Sequence, residues 1–185
     1  MDKRIIENLR VKNAIVEGFF ELLKSYNVDE ISITMISQQS KVSRMAYYRN
    51  FNCKNDIVLY FLESVFCEIK ESLPEECDFW SKEYGYVFLT IMKKYRAQFL
   101  LLDNAGYLGM VQTMFNEANI ELGGEIPNNS IKRYNLYFAS GATLNGIMEW
   151  FRNECKESLD DFYQAMVDFM GANVNNPGIS ARIID

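Results

Sequence analysis

Apolar residues recur along this chain at intervals of three and four positions, which is the spacing of one face of an α-helix. The first such stretch covers residues 8 to 26, and another long one runs from Lys54 to about residue 73. In this second stretch the apolar positions are four residues apart: Ile57, Phe61, Val65, Ile69 and Leu73. Pro74 ends it, because a proline cannot donate the next helical hydrogen bond. No alternation with a period of two is long enough to indicate a strand, so the pattern predicts an all-α protein.

Further helical stretches follow Pro74. They cover residues 78 to about 95, a short segment up to 102, and residues 107 to 122, 130 to 153 and 158 to 172. The helix predicted at 130 to 153 carries small residues among aromatic ones: Ala139, Ser140, Gly141, Ala142 and Gly146. Small side chains let a neighbouring helix approach closely. The chain after residue 172 is expected to be a loop.

Two hydroxyl side chains, Thr34 and Ser43, divide the stretch from Ile31 to Lys54 into two short helices. A Ser or Thr before a helix accepts a hydrogen bond from a free backbone N–H of the first turn, so we predict helices that start after Thr34 and after Ser43. The second helix is predicted over Arg44 to Asn50, and the short connection around Val42 makes the pair a helix-turn-helix. In such a motif the second helix enters the major groove of DNA, with its first turn towards the base edges.

This stretch resembles the DNA-binding motif of the TetR family of transcriptional regulators. The residues that match the family pattern in order and spacing are Ile33, Thr34, Ile36, Val42, Ser43, Tyr48, Phe51 and Lys54. The resemblance covers about residues 8 to 60 and implies two kinds of contact with DNA. Contacts to the DNA backbone are implied for Thr34, Ser43, Tyr47, Tyr48 and Lys54. Contacts to bases are implied for Arg44 and Met45, the first two residues of the second helix.

Two positions depart from the family pattern. Ser37 stands where the family usually has alanine, and Lys41 stands where it usually has glycine in the turn. If the turn requires a positive φ at position 41, a lysine there costs about 1 kcal/mol relative to glycine. The same lysine adds a positive charge that can contact a phosphate, so Lys41 is included among the candidate DNA-binding residues.

The resemblance also implies two domains. A helix-turn-helix DNA-binding domain is expected at residues 1–54, joined by a long helix to an effector-binding and dimerisation domain at residues 55–185. The last two long helices are expected to form a four-helix bundle with those of a second copy. A homodimer also follows from the motif itself, because two motifs on a twofold axis can bind a palindromic operator with more contacts than one. The alternative to the four-helix bundle is that the last two long helices complete the core of the monomer.

The second domain is rich in Tyr, Phe and Met, which suit a pocket for an apolar or amphipathic small molecule. Aromatic residues at helical spacing also build ordinary cores. The candidate effector-binding residues are Phe88, Met92, Tyr107, Met110, Met114, Tyr137 and Trp150. The resemblance implies an effector whose binding alters the spacing of the two DNA-binding motifs.

The net charge of −6 is unevenly distributed. Residues 1 to 55 carry nine basic and six acidic side chains, a balance of +3, whereas the remaining 130 residues carry ten basic and nineteen acidic ones, a balance of −9. A basic first part on an acidic body is typical of a protein that binds DNA at one end only.

Several classes of function find no support in the sequence. The chain has no histidine, and its four cysteines form no CxxC pair, so neither a metal site nor a cofactor is predicted. An enzyme is not expected, since there is no histidine base, glycine-rich phosphate loop or G-x-S-x-G motif. No run approaches the roughly 20 apolar residues of a membrane span, and no signal-peptide core is present. We therefore expect a cytoplasmic protein with no membrane partner.

The sequence thus predicts a homodimeric transcriptional regulator, in the first instance a repressor that a small-molecule effector releases from double-stranded operator DNA. The alternatives are an activator, a regulator switched by a protein partner, a helical adaptor that has lost DNA binding, and a helical hairpin in an unrelated α-protein. Cys53 lies at the start of the third helix of the motif, where oxidation would disturb DNA binding, and this redox role is a separate hypothesis.

Overall fold

The computed structural model describes residues 3–74, 77, 81–122 and 130–174. Within these residues the regular secondary structure consists of nine α-helices, without a strand. The helices are α1 (Lys3–Leu23), α2 (Ile33–Gln39), α3 (Arg44–Asn50), α4 (Lys54–Glu71), α5 (Lys82–Lys94), α6 (Arg96–Asn104), α7 (Leu108–Leu122), α8 (Ile131–Arg152) and α9 (Leu159–Val174). The prediction of an all-α fold is confirmed. The segment between the helices predicted at 107–122 and 130–153, and the tail from residue 175, lie outside the described residues.

The largest difference from the predicted helix bounds is at the start of the chain. Helix α1 begins at Lys3 instead of residue 8, and its first turns expose Ile5, Ile6 and Leu9 by 52%, 48% and 39%. The buried stripe of α1 begins at Ile15. Because the early turns bury no face, the periodicity of apolar residues could not reveal them.

The described chain divides into two compact units. Unit 1 comprises the residues up to Phe66 together with Leu101–Tyr107, and unit 2 comprises Cys67–Leu100 and the residues from Leu108 onward. Unit 1 therefore continues beyond the sequence-based boundary at residue 54, because the first part of α4 contributes to its core. The residues of α4 that are buried there are Ile57, Val58, Phe61, Leu62 and Val65.

Unit 1 is built from α1, α2, α3, the first part of α4 and the end of α6. Phe20 on α1 packs edge-on against Phe61 on α4, with the ring centroids 4.7 Å apart. Gly18 lies where α1 meets the end of α2, and a Cβ at this position would be 3.0 Å from both the backbone nitrogen and the Cβ of Ser40. Only a residue without a side chain fits this approach without displacing Ser40. The close contact fixes the first helix of the motif against α1.

Unit 2 has its own apolar core. Its most deeply buried side chains include Leu89, Met92, Phe99, Ile147 and Phe151. Trp150 on α8 stacks on Phe162 of α9 with a centroid distance of 4.5 Å. A Cβ on Gly85 of α5 would overlap the ring of Tyr163, so α5 also lies close to α9. None of the described helices combines the length with the apolar character that a membrane span requires.

Candidate nucleic-acid interface

Helix α2 begins two residues earlier than the position of Thr34 suggested. Ser32 has the extended backbone of an N-cap, and its Oγ accepts a hydrogen bond from the Met35 N–H at 3.2 Å. The prediction that Thr34 is the N-cap is therefore wrong: Thr34 lies inside α2, and its hydroxyl is free for another role. The rule that a hydroxyl residue caps the start of a helix still applies, but the capping residue is Ser32 and not Thr34.

The turn between α2 and α3 contains a residue in the left-handed region. Lys41 has φ 55°, and its N–H donates to the Gln38 carbonyl at 3.2 Å. The Val42 N–H closes the turn on the Ser37 carbonyl at 3.0 Å. The turn thus has the geometry that favours glycine, and the Lys41 side chain extends into solvent from it.

Helix α3 has the predicted bounds and is fixed at both ends. The Ser43 Oγ accepts from the Ala46 N–H at 3.1 Å, and the N–H of the C-cap Phe51 donates to the Tyr47 carbonyl at 2.9 Å. The Tyr47 ring is completely buried, 6.3 Å from the Phe51 ring and 5.5 Å from the Tyr48 ring. Burial is the main cause that raises the pKa of Tyr47 to about 12. Tyr47 was expected to contact the DNA backbone, and the structure places it inside unit 1 instead.

The other face of α3 is exposed and positively charged. Met45 and Tyr48 are 74% and 55% exposed, and Arg44 and Arg49 also lie on the surface. Every charged residue from position 31 to position 54 is basic: Lys41, Arg44, Arg49 and Lys54. An exposed helix face with long donors and no carboxylate suits the edges of bases and the phosphates of DNA.

Arg44 is held by the first helix of the motif. Its Nη2 lies 2.5 Å from the Thr34 Oγ1, and the two residues are ten positions apart in sequence. This contact connects the first turn of α3 to α2. The sequence implied separate roles for Thr34 and Arg44 and gave no signal that the two side chains are in contact.

Lys54 lies at the start of α4 and has structural partners. Its Nζ is 2.5 Å from the Val28 carbonyl oxygen and 3.2 Å from that of Ile31. These bonds connect α4 to the segment that leads into α2. An ammonium group has three N–H donors, so two of them are used within the fold.

Asp56 is a residue of this region that sequence reasoning missed. Its Oδ2 accepts from the backbone N–H of Asn52 at 2.8 Å and from the Asn52 side chain at 3.0 Å. These hydrogen bonds, the backbone one foremost, hold the pKa of Asp56 below its ordinary value. A carboxylate in the first turn of a helix, after a polar residue that can cap it, was the signal available in the sequence. The carboxylate stabilises the start of α4.

The candidate effector-binding residues belong to both units. Tyr107 belongs to unit 1, whereas the others belong to unit 2. Within unit 2, Phe88, Met92 and Trp150 are buried in the core, and Tyr137 is 42% exposed. The two remaining residues, Met110 and Met114, are half-buried on α7.

An open groove of about 200 Å³ lies between α8 and α9. It is lined by Ala142, Thr143, Gly146, Phe162, Ala165, Met166, Phe169 and Met170, none of which is charged. No candidate effector-binding residue is among them. On the same two helices, large apolar side chains are exposed beyond the groove: Ile131, Tyr134, Tyr137, Phe138 and Val167.

Comparison with known proteins gives a likeness in structure and none in sequence. No protein-family model matches the chain, and no curated protein matches it in sequence. Among solved structures, the chain is similar to the dihydroxyacetone kinase operon activator DhaS, with a TM-score of 0.60 and 14% sequence identity. The alignment covers 93% of this chain and 97% of DhaS. The all-α fold of this chain is therefore similar, over nearly its whole length, to the fold of an operon activator.

Proposed function

We propose that this protein is a sequence-specific DNA-binding transcriptional regulator of the TetR type that acts as a homodimer. The observation that carries the proposal is the exposed face of α3, which is basic, free of carboxylates and fixed to the core from the opposite side. The motif resemblance and the similarity to an operon activator support the same function independently.

The proposed DNA contacts follow from exposure. Arg44 and Met45 bind base edges in the major groove, because they occupy the exposed first turn of α3. Lys41, Ser43 and Tyr48 bind phosphates from the turn and from the same face. Tyr47, whose ring fills the core, supports α3 without contacting DNA. Lys54 uses its remaining N–H for a phosphate.

The proposed dimer interface is formed by α8 and α9. Its groove is uncharged, and exposed aromatic side chains extend it along α8. A Cβ added to Gly141 would meet no atom of the described residues within 4 Å, and a Cβ on Gly146 would make only an ordinary 3.8 Å contact with Phe162. Packing inside the described part of one chain therefore does not require glycine at either position. A second copy that packs closely against α8 would explain why Gly141 and Gly146 are small.

We propose further that residues 1–54 bind DNA, and that the remaining helices bind a small-molecule effector and dimerise. The effector then favours the conformation in which the two α3 helices no longer match the operator, and the protein acts as a repressor. The second candidate is a transcriptional activator. One observation favours it, namely that the similar protein DhaS is named as an operon activator.

DNA selection followed by binding measurements tests the proposal. The wild-type protein is incubated with random-sequence duplexes, and the enriched sequences are tested by gel shift over a range of salt concentrations. We expect a palindromic sequence with half-sites about one helical turn or more apart. Arg44→Ala should weaken binding and relax the preference at one base pair of each half-site, whereas Lys54→Ala should weaken binding to all sequences similarly.

Lys156→Ala is the matched control, because Lys156 is exposed in unit 2. A thermal melt of Lys54→Ala separates loss of the phosphate contact from loss of the bonds to Val28 and Ile31. Enrichment of no sequence above the salt-sensitive background would contradict the proposed function.

A further inference from the structure

The hydrogen bond between Arg44 and Thr34 does not contribute to the N-cap of α2 or of α3. Ser32 caps α2 and Ser43 caps α3, so the Thr34 hydroxyl is not needed for a free backbone N–H. Arg44 is exposed, and the Thr34 Oγ1 is the hydrogen-bond acceptor that the described residues offer its guanidinium. The bond therefore serves the position of the Arg44 side chain.

The chemistry of the partner matters for what Arg44 can still bind. A guanidinium has five N–H donors, and one bond to a hydroxyl leaves four of them available. A carboxylate partner would neutralise the charge, but a hydroxyl does not, and no acidic residue lies between positions 31 and 54. The side chain is thus held in place while its charge and a pair of N–H donors stay available.

We propose that Thr34 is a positioning residue for base recognition, which holds Arg44 so that two of its N–H groups bind the O6 and N7 acceptors of a guanine in the major groove. Arginine binds guanine through these two acceptors more often than any other base edge. Fixing a flexible side chain before binding lowers the entropic cost of the contact. The inference rests on the proposed function, and it replaces the direct contact with the DNA backbone that the resemblance implies for Thr34.

The two roles of Thr34 predict different losses. If the hydroxyl bound a phosphate, its removal would weaken binding to every sequence by the same factor, since phosphates carry no sequence information. If it positions Arg44, its removal weakens the preference for guanine at one base pair and leaves the preference at the other positions unchanged.

The experiment uses the selected duplex and a set of duplexes with a single base pair changed in each half-site. Dissociation constants are measured by fluorescence anisotropy at fixed salt for the wild type, Arg44→Ala, Thr34→Val and Thr34→Ser. Thr90→Val, at an exposed position of α5, is the matched control for loss of a threonine hydroxyl on a helix. Thermal melts of all variants are recorded alongside.

We expect Arg44→Ala to identify a G·C pair that the wild type prefers by about 5- to 150-fold over the other pairs. Thr34→Val should reduce that preference to a few-fold at this pair alone. Thr34→Ser keeps the hydroxyl and should keep the preference, and Thr90→Val should behave as the wild type.

Three results would overturn the assignment. Thr34→Val that weakens all duplexes equally and keeps the guanine preference would establish the phosphate contact instead. If Thr34→Val has the same dissociation constants as the wild type for all duplexes, the hydrogen bond has no role in recognition. A wild type that prefers no duplex would overturn the proposed function itself, and with it this inference.

Discussion

At the scale of single residues, four hydroxyl groups in unit 1 differ in whether they have a hydrogen-bond partner. This difference decides whether each hydroxyl stabilises or destabilises the fold. Ser32 and Ser43 place their oxygens 3.2 and 3.1 Å from free N–H groups of α2 and α3. The Oγ of Ser37 and the hydroxyl of Tyr47 are buried without a hydrogen-bond partner in the described part of the chain. A buried polar group that has lost its water and gained no partner costs roughly 1–3 kcal/mol.

Ser37→Ala is therefore expected to raise the free energy of unfolding by about 1 kcal/mol. The substitution removes the unpaired hydroxyl and introduces the residue with the highest helix propensity. Ser43→Ala is the same chemical change where the hydroxyl caps a helix, and it should lower the free energy of unfolding by about 0.5–2 kcal/mol. Urea denaturation followed by circular dichroism measures both. A loss of stability in Ser37→Ala would be evidence that this hydroxyl has a partner.

Asp56 should make the stability of the protein depend on acidic pH. Its folded-state pKa lies below the ordinary 3.8, so the folded state stabilises the carboxylate. The stabilisation is fully present above the pKa of the unfolded chain, and it is lost as the pH falls through the lower pKa of the folded state. Denaturation midpoints recorded from about pH 6 to about pH 3 should therefore fall less steeply for Asp56→Asn than for the wild type.

Glu117→Gln, at an exposed carboxylate of α7, is the control for the loss of one negative charge. A difference between Asp56→Asn and the wild type that is constant over this pH range would mean that the carboxylate gains nothing from Asn52.

At the scale of helices and turns, two left-handed residues offer a direct comparison. Lys41 has φ 55° in the turn of the motif, and Glu154 has φ 60° between α8 and α9. Both side chains are exposed, so neither stabilises the fold by packing in the core. A residue with a Cβ in this region is strained relative to glycine by about 1 kcal/mol or more. For Lys41, the proposed phosphate contact offsets that strain.

Lys41→Gly and Glu154→Gly are each expected to raise the free energy of unfolding by about 1 kcal/mol. Only Lys41→Gly should weaken DNA binding, and it should reduce the slope of log K against log salt concentration by about 0.9 per site, the value for one phosphate contact. Urea denaturation and salt-dependent anisotropy measure the two effects. An unchanged salt slope in Lys41→Gly would remove Lys41 from the DNA contacts.

The bounds of helices were predictable from sequence where a cap and an apolar stripe agree. Helix α3 was predicted from Arg44 to Asn50 because Ser43 is the one hydroxyl at its start. Two hydroxyl residues, Ser32 and Thr34, lie near the start of α2, and local sequence does not decide which of them is the N-cap. The choice depends on which residue the folded backbone leaves extended.

In the candidate site, too, local sequence does not decide which of two neighbouring residues is exposed. Tyr47 and Tyr48 are adjacent and of one type, yet one is buried and the other is 55% exposed. The four-residue spacing of Tyr47 and Phe51 was a signal for the buried face. No local signal distinguishes core residues such as Met92 and Trp150 from pocket residues, because that depends on the packing of distant helices. The bond between Thr34 and Arg44 likewise depends on how α2 and α3 pack.

At the scale of the whole molecule, the proposed function requires two copies. Phe169 lines the groove between α8 and α9 and is 56% exposed in the single chain. A partner that covers it removes apolar surface from water. This contributes about 25 cal/mol per Å², part of which is offset by the entropy lost when two chains associate.

Phe169→Glu is expected to convert the dimer to a monomer at micromolar concentration, because it places a charge in the proposed interface. Sedimentation equilibrium measures the mass, and anisotropy should show weaker operator binding by the same variant. Ile5→Glu introduces the same charge at a residue of α1 that is 52% exposed, and it should remain dimeric. A wild type of monomeric mass under these conditions would contradict the proposed dimer.

The way α3 is built also bears on how DNA specificity could be changed by engineering. The cap at Ser43, the buried Tyr47 and the C-cap Phe51 hold the helix, whereas positions 44, 45, 48 and 49 carry exposed side chains. Folding and recognition thus depend on separate residues of one seven-residue helix. Libraries randomised at those four positions should retain the fold while they sample new operators. Position 34 belongs in the same library, since a new residue at 44 needs its own support.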